Sequence, residues 1–473
     1  MSNSNKAVKA GIGYTVGNYL LKGLTFFSIP IFSRLMSTSD YGTYNTFAAY
    51  ESIIFVIIGL ALHSSFKNAK YKYADNFNDY ISSCMTVGLI SFFIWCVIAN
   101  IFYKKLQIYI GFSRPLMNLL LICSMGSAIV QYFNVYVGID YKYDRFLKIS
   151  AFNAITTISL SVILILLFFK EKSYVGRIIG TAVPLFLISI YIIRDFYKKA
   201  RPQLNTEYVK YAVKFSLPII PHGLSQVVLS QFDRIMINTI IGSAQAGLYS
   251  FSYNIYTIIQ VTASSLDNVW GPWFFEAASK NRYGAIRKVS SDYITGMMLF
   301  SSAVLLVSPE IIKLISPESY WNSIYCVIPV VIAGYFSFLY TLPVQVEYYF
   351  EKTKCVAVGT GSAALINIIL NYIFIPRYGY IAAAYTTLAT YFLYFMFHFV
   401  LARVFSKINY FNMKIVAFNV VAILLVGILT IRLLNMVIMR WIIMLALFVA
   451  GVFYVQMQYG VVDKLVNKIN RKE

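Results

Sequence analysis

Charge is what this sequence has least of. Charged residues fill 12% of its 473 positions, against about 25% in a soluble protein. Acids are scarcest, with 19 Asp and Glu against 40 Lys and Arg and a formal net charge of +21. So little charge cannot cover the surface of a soluble fold of this size. The basic excess does not indicate nucleic acid either, because Lys and Arg sit in short gaps between apolar runs and form no separate domain. Cysteine is sparse: Cys84, Cys96, Cys123, Cys326 and Cys355 are scattered without a CxxC, which excludes a disulfide framework and a cysteine metal site. No GxxxxGK[ST], HExxH or GxSxG is present, so P-loop hydrolysis, zincin chemistry and a serine nucleophile elbow are all unsupported. We therefore expect no catalytic residues, no metal, no cofactor and no enzyme. Work across a membrane would be driven by H+ or Na+, or by the substrate's own gradient.

What is abundant is apolar: 59% of residues, with a mean hydropathy of +0.67. A membrane span needs about 20 largely apolar residues. Fourteen stretches qualify, near 11–34, 42–65, 80–103, 115–137, 147–169, 175–196, 211–236, 246–269, 290–308, 322–347, 354–375, 380–402, 412–431 and 437–459. Lys6 and Lys9 precede the first with no small-residue cleavage site, which reads as a retained span and not a signal peptide. Lys and Arg concentrate at both ends of the chain and in the even-numbered gaps, placing both termini in the cytoplasm. Lys104, Lys105 and Arg114 run against that rule. No gap is long enough for a soluble catalytic domain. The gap at 273–288 mixes Phe274, Phe275 and Tyr283 with Lys280, Arg282, Arg287 and Lys288, and reads as an interfacial amphipathic helix or a solvated basic loop.

One stretch is written twice. Residues 20–36 (LLKGLTFFSIPIFSRLM) align without a gap on 220–236 (IPHGLSQVVLSQFDRIM). Gly23, Leu24, Phe32, Arg34 and Met36 meet Gly223, Leu224, Phe232, Arg234 and Met236, and Lys22 meets His222. Further on, Gly42 and Tyr44 correspond to Gly247 and Tyr249. Six spans separate the copies, so both point the same way, as parallel repeats with a site between them do. The expected fold is an all-α polytopic membrane protein of about 14 transmembrane helices. It would have two pseudo-symmetric six-helix lobes (1–200 and 201–405) and two extra C-terminal helices with a basic cytoplasmic tail (406–473).

A charged side chain deep in a bilayer costs about 2.5–3.5 kcal/mol on insertion scales, and usually faces a bundle interior or a watery cavity. Lys22 shares a polar stripe with Asn18 and Thr25, which argues for a cavity face; the alternative is a snorkelling or structurally paired lysine. His222 follows Pro218 and Pro221 and precedes Gly223, where the helix must weaken. It reads as a cation for an anionic substrate, a proton carrier, or a neutral histidine held by a neighbouring helix. Arg34 and Arg234 suit phosphate, because a planar guanidinium donates two parallel hydrogen bonds; they serve equally as interfacial anchors or, with Asp233, as an outer gate. Glu51 and Glu347 are acids in apolar runs, candidates for neutralising a cation or taking the coupling ion. Pro30, Pro218, Pro221 and Gly223 are the hinge candidates.

With these residues in place the chain resembles the Wzx-type polysaccharide flippases of the multidrug/oligosaccharidyl-lipid/polysaccharide exporter superfamily. The resemblance rests on Phe32-Ser33-Arg34-Leu35-Met36 with Asp40-Tyr41-Gly42-Thr43-Tyr44, and on Phe232-Asp233-Arg234-Ile235-Met236 with Ala246-Gly247-Leu248-Tyr249. It implies a bacterial inner-membrane protein that carries undecaprenyl-diphosphate-linked oligosaccharide to the outer leaflet, for O-antigen (lipopolysaccharide), capsule or exopolysaccharide. It also implies a cationic cavity, the lipid-linked oligosaccharide and membrane lipid as partners, and a polymerase and chain-length protein in the same pathway. Two other readings stay open: a polytopic polymerase, ligase or glycosyltransferase, and an ion-coupled exporter of small molecules.

Overall fold

The computed structural model describes residues 17, 23–24, 26–140 and 143–459. Among them it is helical, with no strand. The helices of the first half are α1 (Phe26–Leu35), α2 (Thr38–Ile58), α3 (Phe66–Lys72), α4 (Phe77–Ile101), α5 (Tyr103–Ile110), α6 (Arg114–Ile139), α7 (Tyr143–Leu167), α8 (Ser173–Lys199), α9 (Thr206–Ser216) and α10 (Ile219–Ile240). The rest are α11 (Ser243–Ser279), α12 (Tyr283–Ile315), α13 (Ile324–Leu339), α14 (Thr341–Tyr349), α15 (Thr353–Tyr378), α16 (Tyr380–Ser406), α17 (Met413–Arg432) and α18 (Val437–Tyr459). Local sequence sets several starts. Ser37 caps α2 through the Asp40 N–H, Asn205 caps α9, and Asn412 caps α17, each accepting from an otherwise orphaned donor.

This is an all-α polytopic membrane protein. Among the described residues, ten helical stretches are long and apolar enough to cross a membrane, and twelve if each of two bent pairs is one span. Of the fourteen expected, half of the first falls outside the described residues. The eighth is α11, 37 residues long but too rich in Ser, Tyr, Asn and Gln to qualify by composition. One bend was legible: α9 and α10 meet at 46°, where Pro218 and Pro221 lack the N–H a continuous helix needs. The other was not. The second span is expected straight to residue 65, but it turns by 55° after Ile58 and continues to Lys72. Leu60 and Ala61 take positive φ of 50° and 47° there, a region costly for side chains with a Cβ. The buried Tyr132 hydroxyl donates to the carbonyl of Gly59 at 2.5 Å, satisfying an acceptor that the broken helix leaves open.

Contacts group the chain into two compact units, Met1–Gly247 and Leu248–Glu473. In the first, α10 packs on α2, and α6 and α8 lie side by side. α7 and α8 approach closely over Gly176 and Gly180; a Cβ at Gly180 would sit 2.6 Å from the Ser161 backbone. Small residues four apart are what let membrane helices meet at backbone distance.

In the second unit α13 is buried along nearly its whole length, against α12, α16 and α17. No separate interfacial helix occupies 273–288. α11 runs through to Ser279, Asn281 turns at φ 55°, and α12 begins at Tyr283. The reason is packing: Phe274 is buried against Trp270 and Tyr410, with ring centroids 5.6 and 5.5 Å away, so its apolar face is spent on protein. α18 is pinned by Arg440, 1% exposed. Its guanidinium reaches the Leu433 and Leu434 carbonyls and pairs with Glu310 on α12. Removing one member of a buried pair strands the other. Arg440→Ala should therefore loosen α18 by about 3 kcal/mol, the low end for such pairs because Glu310 keeps some access to solvent. Limited proteolysis in detergent reads this directly; unchanged resistance of α18 would refute the pin.

Candidate functional site

Three helices of the first unit each turn one polar edge inward. α2 presents Glu51, Ser52 and Phe55; α6 presents Ser127 and Gln131; α10 presents Val227, Ser230 and Gln231. The outer members on each helix are four apart, the spacing that puts side chains on one face. Together they line an open cavity of about 350 Å³. Ser127 donates to Glu51 Oε1 at 2.7 Å, which fixes the carboxylate in the wall. A second, mostly apolar cavity of about 190 Å³ shares Phe55 and Val227 and runs past Gly59, Tyr132 and Gly223, with His63 beside it.

Arg234 lies one turn along α10 from Gln231 and is 7% exposed. One terminal nitrogen donates to Gln231 Oε1 at 2.7 Å and to the Ser230 carbonyl at 2.8 Å. The cation is thus tied to two residues that line the cavity. Asp233, its neighbour, is fully buried. Arg34, the repeat mate, is exposed and donates to the Pro30 carbonyl at 3.0 Å, so the two arginines sit in unlike surroundings. His222 is half-buried, and its Nδ1 is enclosed with no hydrogen-bond partner. Pro218, Pro221 and Gly223 lie at the 46° bend and in the first turn of α10, and Pro30 is in α1. Glu347 is in the second unit, bonded to His398. Lys22 and Asn18 lie outside the described residues.

The structure thus places Glu51 in the cavity lining among hydroxyl and amide side chains, and buries Arg234 behind that lining, bonded to Ser230 and Gln231. Such a lining can donate to and accept from a polyhydroxylated ligand, with one buried cation bonded to it from behind. No group of three His, Cys, Asp or Glu among the described residues is placed to hold a metal. Ser52, Ser127, Gln131 and Ser230 escaped sequence reading. Gln131, a lone amide in an apolar run, was the one usable signal; serines are too common on span interfaces to single out.

A second feature ties the repeat together. Ser39 and Ser243 hydroxyls are 2.6 Å apart. A Cβ on Gly42 would lie 1.8 Å from the Ser243 carbonyl oxygen, and one on Gly247 would lie 2.0 Å from that of Thr38. The contact is reciprocal, the first residue of each helix against the fifth of the other.

Comparison with known proteins fits these observations. Residues 7–278 match the family described as "Polysaccharide biosynthesis protein". The chain is 21% identical over 376 residues to "Lsg locus putative protein 1" of Haemophilus influenzae, covering 74% of this chain and 87% of that protein. It is 20% identical over 388 residues to "Probable low-salt glycan biosynthesis flippase Agl15" of Haloferax volcanii, covering 80% of each. In structure it is similar to the lipid II flippase MurJ in an inward closed conformation, with a TM-score of 0.72 at 15% identity over 94% of this chain and 99% of that one. An inward-facing MATE multidrug transporter of the MOP superfamily aligns with a TM-score of 0.64 at 15% identity, over 81% and 93%.

Proposed function

We propose that this chain, which belongs to the polysaccharide biosynthesis protein family, is a flippase for lipid-linked oligosaccharide. The observation that carries the reading is the cavity lined by Glu51, Ser127, Gln131 and Gln231, with Arg234 buried behind it and bonded to Gln231. Hydroxyl, amide and carboxylate side chains match sugar hydroxyls, and the guanidinium matches a diphosphate. An apolar groove of about 730 Å³ between α12 and α18, lined by Leu299, Phe300, Met444 and Phe448, suits an isoprenoid tail. The flippase named among its relatives and the fold it shares with a lipid II flippase support the same reading.

The substrate is undecaprenyl-diphosphate-linked repeat units bound for O-antigen, capsule or exopolysaccharide. The protein sits in a bacterial inner membrane with both termini cytoplasmic, feeds a polymerase and chain-length protein, and works by alternating access driven by H+ or Na+. Lys22, His222 and Arg234 draw in the diphosphate, Asn18 and Arg34 complete the polar path, and the Pro218–Pro221 bend, Pro30 and Gly223 let the helices swing. Vesicles containing the pure protein should expose lipid-linked oligosaccharide to an outside lectin faster than empty vesicles; equal rates would overturn the reading. Within it, Lys22→Ala or Lys22→Glu should cut surface polysaccharide at least tenfold at normal protein level. Full retention of polymer would remove Lys22 from the site.

A further inference from the structure

We infer that Glu347 and His398 together bind one proton, and that this proton is linked to the packing of α14 against α16. Both side chains are fully buried, with Nδ1 of His398 2.6 Å from Glu347 Oε1. The far atoms of the pair, Glu347 Oε2 and His398 Nε2, are enclosed and have no partner. The imidazole lies edge-on to Tyr394, 4.6 Å between centroids, with Phe397 at 5.2 Å and Tyr340 at 6.0 Å. Gly359 on α15 makes room for it: a Cβ there would come within 2.9 Å of Nε2.

Little else nearby carries charge. Glu347 is the only acid or base on α14, and α13 has none. On α15 and α16, Lys354, Arg377 and Arg403 are exposed, toward the helix ends. Lys352 donates its backbone N–H to the Glu347 carbonyl, and its ammonium lies over Phe405. Asp267 on α11 is taken by Gln345. The Tyr394 hydroxyl is bonded to Thr360 at 2.8 Å. The pair must therefore balance its own charge. With one proton it is neutral overall. With none it is a buried anion, and with two a buried cation, either of which is heavily penalised in an aromatic shell. A sodium ion would want several oxygens; one carboxylate oxygen and an imidazole nitrogen suit a proton.

The consequence follows by linkage. Parted and in water, a histidine gives up this proton above about pH 6.5. Packing α14 onto α16 therefore takes up one proton above that pH, and the ratio of packed to parted protein falls about tenfold per pH unit, the slope for one proton. α14 is the 9-residue end of a longer span: Tyr340 carries the helix on from α13, and the chain turns at Glu351, φ 58°, so it is this span end that parts from α16. The inference deepens the proposed function by naming the proton as coupling ion at this pair, and rests on that reading only for its effect on transport.

The test is hydrogen exchange on the purified full-length protein between pH 6.5 and 8.5, corrected for intrinsic rates. Exchange in α14 should rise about tenfold per pH unit in the wild type. In Glu347→Gln, whose amide keeps the hydrogen bond without titrating, it should be flat. A flat wild type, or the same slope in Glu347→Gln, would overturn the inference. In vesicles, flipping by Glu347→Gln should no longer respond to a pH gradient that accelerates the wild type, and a variant that keeps the response would overturn the coupling role. A wild type with the exchange slope but no flipping would instead sink the flippase reading and leave the proton site in place.

Discussion

Cysteines placed at Ser39 and Ser243 should cross-link under mild oxidation and stop transport. The two hydroxyls are already 2.6 Å apart, and at the ends of α2 and α11 the backbones themselves touch across Gly42 and Gly247. A disulfide needs Cα atoms roughly 4.4–6.8 Å apart, which such backbone contact supplies. Under the alternating access proposed above, helices that meet at one stage of the cycle part at another. A covalent bond here should therefore reduce turnover at least tenfold, with recovery on adding a reductant. Each single cysteine should behave like the wild type. Mass spectrometry confirms the bond, and full flipping by fully cross-linked protein would show that this contact never opens. Gly42→Ala tests the same contact without chemistry. Its methyl would lie 1.8 Å from a backbone oxygen, so the variant should disfavour the closed contact and increase labelling of a cysteine at Ser39.

That contact also shows how far sequence reading reached. Gly42 and Gly247 were matched as repeat mates because the flanking Tyr44 and Tyr249 matched too. Nothing in the pattern said that the mates touch, since a repeat gives correspondence and not distance. The helices themselves were legible, because long apolar runs with basic gaps leave few alternatives. Where the structure departs, the signal was missing for identifiable reasons. The turn at Leu60 and Ala61 uses positive φ without glycine, and its support comes from Tyr132, far along the chain. Glu51 was conspicuous as an acid in an apolar run, but its Ser127 partner is 76 residues away. Glu347 stood out for the same reason. His398 did not, since a lone histidine in an apolar run reads as core. Arg440 was not singled out in the last apolar run, because Glu310, which holds it inside, is 130 positions earlier. Charges in apolar runs could thus be found from composition, while their partners depended on tertiary contacts.

Arg234 is where the two kinds of information meet, and its substitutions separate charge from geometry. Arg234→Ala removes the hydrogen bonds to Gln231 and Ser230. Hydrogen bonds from a charged group are worth about 1.5–3 kcal/mol each, but a cavity-side loss is softened by water, so a cost of about 2 kcal/mol is expected. That should lower protein yield without abolishing it. Transport should fall further, at least a hundredfold per molecule, because the cavity loses the cation bonded behind its lining. Arg234→Lys is the sharper test. It keeps the charge and most of the length, but a lysine cannot hold Gln231 and also offer a planar fork to a diphosphate. If Arg234 binds substrate, Arg234→Lys should keep near-normal yield and lose transport tenfold or more. If Arg234 only anchors α10, transport per molecule should follow protein level in both variants. Flipping assays normalised to protein content distinguish the two, and Gln231→Ala supplies the control. That variant removes one of the guanidinium's hydrogen bonds and leaves its charge and its bond to the Ser230 carbonyl in place, so it should weaken transport less than Arg234→Ala does.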